Sequence, residues 1–208
     1  MANFMIGRHN SELGAPFSAY AKTAIAAASG VCIGLVATWV TTGRDFIFGA
    51  AQSGPWVAWP KTGGADADPY ARAILARQAE APLANGEGIV FIAHKDSAGA
   101  PLDGACAYTI EGAFPVARLW TVSLYRPGGA IIRDGDGPHE IMSTTVVRAQ
   151  DGNVTLTIAP TARAGNWLEA PRGRPFAIAL SLYDAAASPT QSSLSALSMP
   201  SIRSAGCP

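Results

Sequence analysis

Between Lys22 and Arg44 the chain runs TAIAAASGVCIGLVATWVTTG, residues 23–43, without one charged side chain. At 1.5 Å rise per residue, a helix of this length reaches about 30 Å, the thickness of a bilayer's hydrocarbon core. Phe17 and Tyr20 precede the run, and Trp39, Phe46 and Phe48 stand at its far end, where aromatic rings suit the two membrane interfaces. A cleaved signal peptide would have a shorter apolar stretch with a small-residue cleavage site soon after it, and here Gly49-Ala50-Ala51 comes late. A core helix of a soluble domain would carry polar residues along one face. The run therefore predicts an uncleaved anchor, with a cytoplasmic segment over 1–22 and one transmembrane helix over 23–43. Lipid is the first partner this implies.

Charge does little to orient the helix, because Arg8 and Lys22 precede it and Arg44 and Lys61 follow it. Size does more, since the short N-terminal piece stays inside and the long remainder crosses. The Ala- and Gly-rich composition is of bacterial type, so the expected location is the inner membrane with the C-terminal part in the periplasm. Only 14% of the residues are charged, against the quarter usual for soluble domains, which agrees with a membrane segment. The formal net charge is zero, so the basic face that nucleic-acid binding needs is missing.

Within the helix, Ala26, Gly30, Gly34 and Thr38 recur at every fourth position and share one ridge. A ridge of small residues lets a second helix backbone approach closely, and in lipid such packing drives association. The ridge predicts a contact with another membrane protein or with a second copy of this chain. Accidental spacing in an Ala/Gly-rich span is the plainer alternative.

Beyond the anchor, residues 44–66 are Gly- and Pro-rich and read as a linker, with Trp56 and Trp59 resting on the membrane interface or packing on the domain. Asp68-Pro69 is a good helix start, and YARAILARQAE carries helical spacing up to Pro82, with Tyr70, Ile74 and Leu75 on one side. The period then changes to two. Strands are predicted over Gly88–His94, Cys106–Ile110, Ala117–Tyr125, Val154–Ile158 and Phe176–Tyr183, with weaker ones at Ala130–Ile132 and Glu140–Val147. Turn signals KDSAG, RPGG, DGDG and QDGN separate them. No helix of crossover length intervenes, so the expected architecture is mainly β: a jelly-roll-like β-sandwich over 67–185 behind one short helix, with a barrel as runner-up. The Ser-, Ala- and Pro-rich tail, 186–208, is expected to be loosely ordered or laid over the domain.

Four blocks, DPYARAILAR, GIVFIAHKDSAGAPLDGACAYTIEG, ARLWTVSLYRPGG and NWLEAPRGRPFAIALSLYD, resemble in order and spacing the DUF1214 family of bacterial proteins, over roughly residues 67–185. The resemblance implies a β jelly roll. Some members also carry a companion DUF1254 domain, for which this chain is too short. The family brings no activity to carry over residue by residue.

The residues suggest little chemistry of their own. A Ser-His-Asp triad would have to use His94 or His139, and no GxSxG elbow is present. The loop Asp134-Gly-Asp136-Gly, followed by His139 and Glu140, resembles the start of a calcium loop but lacks the later ligands, and reads as a hairpin turn. No metal or cofactor is expected. Tyr108, Trp120, Tyr125, Asn166 and Trp167 are the candidate ligand-binding residues, as lining of an aromatic groove suited to a sugar or an apolar molecule. The competing reading makes the aromatics core and Asn166 a turn cap. Asn153-Val-Thr155 is a glycosylation sequon by chance. Cys32 falls inside the span, whereas Cys106 and Cys207 would share an oxidising compartment, where a disulfide would tie the tail to a strand. Alternatively, Cys106 is simply a small buried apolar residue.

Two functions follow as expectations. The first is a membrane-anchored periplasmic accessory or binding module, or a subunit of a membrane complex, that acts through a partner protein or envelope component rather than by catalysis. The second is an envelope enzyme or carbohydrate-binding domain using an aromatic-lined groove. The topology carries a direct test: a reporter enzyme that works only outside the cytoplasm, fused after Pro208, is expected to be active, and activity of a cytoplasm-only reporter would reverse the orientation.

Overall fold

The computed structural model describes residues 15–41, 49–65, 67–69, 72, 73, 76, 83, 84, 86–127, 129–185 and 191–207. It divides into two compact units, Met1–Phe46 and Ile47–Pro208.

The first unit is the helix α1, Ala15–Thr41. It starts two turns before the predicted span, because Pro16 suits a first turn and nothing up to Lys22 breaks a helix. The stretch Ala19–Val40 is long and apolar enough to cross a membrane. Ile25, Val31, Ile33, Leu35, Val36, Trp39 and Val40 are all exposed and cover rather more than half of the circumference, with the small residues Ala26, Gly30, Gly34 and Thr38 on the side between them. A helix apolar all round suits lipid or a protein core, and none of its described sides is covered. Its hydroxyls are satisfied internally: Thr23, Ser29 and Thr38 donate to the carbonyls of Ala19, Ile25 and Gly34 at 3.0, 2.8 and 2.8 Å. No side-chain donor among these three is left for hydrocarbon to strand.

Among its described residues the second unit holds ten strands in two sheets. The first sheet has six strands: β1 (Ala51–Ser53), β2 (Trp56–Ala58), β3 (Gly88–Ala93), β9 (Ala177–Ala185), β5 (Ala117–Tyr125) and β6 (Glu140–Met142), in that spatial order and antiparallel throughout. The second has four: β10 (Ser201–Gly206), β4 (Ala107–Gly112), β7 (Val154–Ala159) and β8 (Asn166–Glu169). One core joins them. Phe91, Val122, Leu124, Ile178, Leu180 and Leu182 from the first sheet pack with Tyr108, Ile110, Leu156, Ile158 and Ile202 from the second. The period-two pattern places these residues on the inner faces, and burying each large side chain contributes about 1.5–3 kcal/mol.

The strong strands lie where the pattern predicts them, within two residues at either end. Turns lie at KDSAG, RPGG and QDGN, whereas DGDG is a run of bends; in KDSAG and QDGN the side chains show why the chain turns. Asp96 Oδ1 accepts the N–H groups of Ala98 and Ala100, and Asp151 Oδ1 accepts that of Asn153. The Asn153 side chain also donates to Asp151 at 2.7 Å. Backbone and side-chain bonds from Asn153 together hold the Asp151 carboxyl below its usual value.

Four segments differ from expectation. The linker is not a free connector: residues 51–58 form the hairpin β1–β2, with Trp56 fully buried and its indole donating to Pro200 O at 2.7 Å. The tail contributes helix α2 (Gln191–Ser195), with Leu194 buried, and then the edge strand β10. The weak strand at Ala130–Ile132 is a single bridge, Tyr125 to Ile131. The strand at Glu140–Val147 stops at Met142, because the Thr145 hydroxyl donates to Met142 O and turns the chain. The helix after Asp68 lies largely outside the described residues; of it, residues 69, 72, 73 and 76 are helical.

Cys106 and Cys207 form a disulfide, which bonds the end of β10 to the residue preceding β4 and closes a loop with a sequence separation of 101. A loop of that size constrains the unfolded chain strongly. Reducing the bond, or substituting Cys207→Ser, is expected to cost about 2–4 kcal/mol, a fall in Tm of roughly 5–15 °C for a domain of this size. Circular dichroism melts of the full chain in mild detergent, with and without dithiothreitol, read this directly; superimposable melts would remove the tie from the account of stability.

Candidate functional site

The pair β7–β8 is parallel although its strands are neighbours in sequence. Parallel strands usually need a long crossover. Here β8 has four residues, about 13 Å, and the six residues 160–165 can span up to about 20 Å, enough to run back along it. That return places Pro160, Thr161 and Ala162 as one wall of a groove of about 800 Å³.

The opposite wall follows from the alternation of β8. Asn166 and Leu168 point inward, whereas Trp167 and Glu169 line the groove. Trp167 is half-buried, and its indole N–H donates to Ala159 O at 3.1 Å, which fixes the ring against the end of β7. Glu169 is only 6% exposed. A buried carboxylate requires partners, and the loop 134–139 supplies them. Gly137 N–H donates to Glu169 Oε2 at 2.6 Å, and Glu169 N–H donates to Pro138 O at 2.7 Å. His139 Nδ1 lies 2.9 Å from Glu169 O. Because a carbonyl only accepts, Nδ1 is the donor in that contact, and Nε2 is buried with no hydrogen-bond partner among the described residues.

The glycines of the DGDG loop permit this closure. A Cβ at Gly135 would lie 2.5 Å from Glu169 Oε2, and one at Gly137 would lie 2.5 Å from Trp167 Cη2 and 2.7 Å from Glu169 Oε2. Gly135 also has φ of +119°, a conformation open to glycine. The loop is thus a cover seated on a carboxylate, and this explains its composition better than a metal-ligand set does. Among the described residues no three His, Cys, Asp or Glu side chains are grouped to hold a metal ion.

Three guanidiniums complete the groove. Arg126 makes a close ion pair with Asp134, Arg174 lies 3.7 Å from the same carboxylate, and Arg172 lies 3.8 Å from Glu169 Oε1. Asp136 is exposed at the rim. The result is a polar groove with one indole, three cations and three carboxylates.

Of the candidate ligand residues, Trp167 alone lines this groove. Tyr108 is core, packed edge-on against Phe176, with its hydroxyl accepting Asp103 N–H at 2.8 Å. Trp120 is core and stacks on Phe114. Tyr125 is half-buried where β5 ends. Asn166 is a clamp: its Oδ1 accepts Val147 N–H at 2.7 Å, and its amide donates to Val147 O and Thr155 O. The alternation of β4 and β5 thus turns the rings of Tyr108 and Trp120 into the core, and the groove beside β8 is a charged one. His94 is exposed and outside the groove, and His139 lies behind the loop rather than in it. Glu169, Arg126, Arg172 and Arg174 were not singled out from sequence. The available signal was the shared parity of Trp167 and Glu169.

Fold and site together define a two-sheet, mainly β domain following an apolar N-terminal helix, with one charged groove at the end of the smaller sheet. The DUF1214 resemblance is borne out: residues 87–187 match the model of that family, described as a protein of unknown function. The solved VPA0106 protein from Vibrio parahaemolyticus is similar in fold, with a TM-score of 0.55 and 23% identity over 68% of this chain. The match spans 36% of that protein's length. An uncharacterised protein from Burkholderia cenocepacia matches at a TM-score of 0.42 and 18% identity, over 56% of this chain and 29% of its own. The curated proteins give no match.

Substituting Gly137→Ala is expected to force the cover off Glu169 and cost about 1–3 kcal/mol, as overpacking does. Thermal melts measure the cost, and an unchanged Tm would mean that the loop is not seated on the carboxylate.

Proposed function

We propose that the chain is a membrane-anchored accessory module of the bacterial envelope, held in the inner membrane by α1. Its jelly-roll-like domain stands in the periplasm and binds a hydroxyl-rich ligand of saccharide type in the groove beside β8. The helix packs on a second helix, from another membrane protein or a second copy, through Ala26, Gly30, Gly34 and Thr38.

The observation that carries the ligand reading is the groove lining: guanidinium donors, carboxylate acceptors and one fixed indole face one space of about 800 Å³. That volume lies within the range of roughly 300–1,000 Å³ typical of ligand sites. A sugar hydroxyl both donates and accepts, so it needs both kinds of partner side by side. The C–H face of a sugar ring also needs an apolar plate, which Trp167 offers.

Binding is favoured over hydrolysis by the state of the carboxylates. Glu169 Oε2 is engaged by Gly137 N–H, Oε1 faces Arg172, and Asp134 is paired with Arg126. Two of the three carboxylates are thus occupied by donors of the protein, whereas hydrolysis of a glycoside needs a pair of them facing the scissile bond.

The test is calorimetric titration of the full chain in mild detergent with soluble oligosaccharides, neutral and acidic. At least one is expected to bind, and Trp167→Ala is expected to weaken it about tenfold or more while the melt stays cooperative. Failure of the whole panel, or binding indifferent to Trp167, would sink this reading.

A further inference from the structure

Resting on the saccharide reading, we infer that the bound sugar carries an anionic group and that Arg172 and Arg174 select it. The lining is formally neutral, with three arginines and three acids, but the acids are unequally free. Asp134 is closely paired with Arg126, and Glu169 Oε2 is taken by Gly137 N–H. Arg172 and Arg174 are paired to these same two carboxylates only at 3.8 and 3.7 Å, beyond hydrogen-bond distance. Their side chains are 77% and 71% exposed. Arg174 and Asp134 are both exposed, and a long contact between exposed charges is weak and readily exchanged, while Arg172 reaches the buried Glu169 from the solvent side at a similar length. Each guanidinium presents five N–H donors in a planar fork, so the two hold a surplus of donors aimed at whatever enters the groove. A carboxylate is the partner that fits such a fork bidentately. The single acid without an ion pair, Asp136, is left to accept a hydroxyl.

The backbone that carries the two arginines is also held in place before any ligand arrives. Arg172 and Arg174 flank Gly173, whose φ is +61°, in a turn closed by Arg174 N–H donating to Pro171 O at 3.2 Å. That turn is seated on the segment before β4. Gly104 N–H donates to Arg174 O at 2.9 Å, and Asp103 bridges Pro175. The approach is so close that a Cβ on Gly104 would lie 1.7 Å from Pro171 O. A turn fixed on both sides loses little freedom on binding, and that is where affinity for a charged group is otherwise lost.

The experiment uses the full chain in mild detergent and two matched probes: a galacturonic acid trimer and the same trimer with its carboxyls methyl-esterified. The acid is expected to bind at least tenfold more tightly than the ester at low salt, with the difference shrinking as salt rises. The double variant Arg172→Gln/Arg174→Gln is expected to abolish the difference between acid and ester, lowering binding of the acid at least tenfold more than it lowers that of the ester. Arg172→Lys/Arg174→Lys, which keeps the charge without the planar fork, should recover part of the difference, and this guards against reading misfolding as loss of selectivity. Equal binding of both trimers, or a preference for the acid that survives in the Gln variant, would overturn the inference while leaving the saccharide reading standing. Absence of binding by either trimer would overturn the inference, and the saccharide reading falls with it only if the rest of the oligosaccharide panel also fails.

Discussion

A carboxylate withdrawn from water organises this end of the domain. Glu169 sits in β8 with almost no exposure, and an unpartnered charge at such a place would be strongly destabilising. Its backbone N–H, its carbonyl and its Oε2 are all bonded to residues 137–139, so the loop has no freedom to sit elsewhere. From that follow two glycines with no room for a side chain, a tryptophan edge pressed on the loop, and an arginine drawn to the remaining oxygen. The groove is the space left over once these demands are met.

The two ends of the β unit are secured by each other. The hairpin β1–β2 gives its tryptophan to Pro200, and Ser53 donates to Leu197 O at 2.9 Å. Ser97, in the turn after β3, exchanges two hydrogen bonds with Ile202. The stretch entering the domain and the stretch leaving it therefore form one patch of structure, sealed by the disulfide. The same disulfide lies beside the turn that supports the arginines: Cys106 N–H donates to Asp103 O, and Asp103 bridges Pro175.

The middle of the fold was legible because its strands are long enough to show a period. Ala117–Tyr125 has nine residues, and every second one of Trp120, Val122 and Leu124 is core. The strands that were missed have three or four residues, or lie in Ser-rich sequence, as β1, β2, β8 and β10 do. Too short, or in β10 too poor in apolar residues, to show alternation, they take their register from a partner strand, and the chain alone does not announce the partner. The site was opaque for a related reason. The DGDG loop and the NWLEAP block are each visible as local punctuation, but their meeting is a contact across 32 positions. A lone glutamate in a strand has the look of a solvent-facing residue, and only the tertiary contact makes it buried. The two-sheet, mainly β architecture and the family resemblance were readable; the burial of Tyr108 and Trp120 was not, because inward or outward for them depends on which face the second sheet covers.

The edge formed by β10 bears on how the protein behaves in a crowded compartment. A strand at the margin of a sheet exposes unpaired backbone groups and can template pairing with a neighbouring molecule. Here the margin is short, its register shifts between Ser204 and Gly206, Arg203 places a charge along it beside Glu111, and the chain is bolted down at Cys207. Each feature denies a stranger the flat, continuous ladder it would need. The cysteine bond that stabilises the domain thus also acts against self-aggregation, and a cell that fails to form it would meet insolubility as well as a weaker fold.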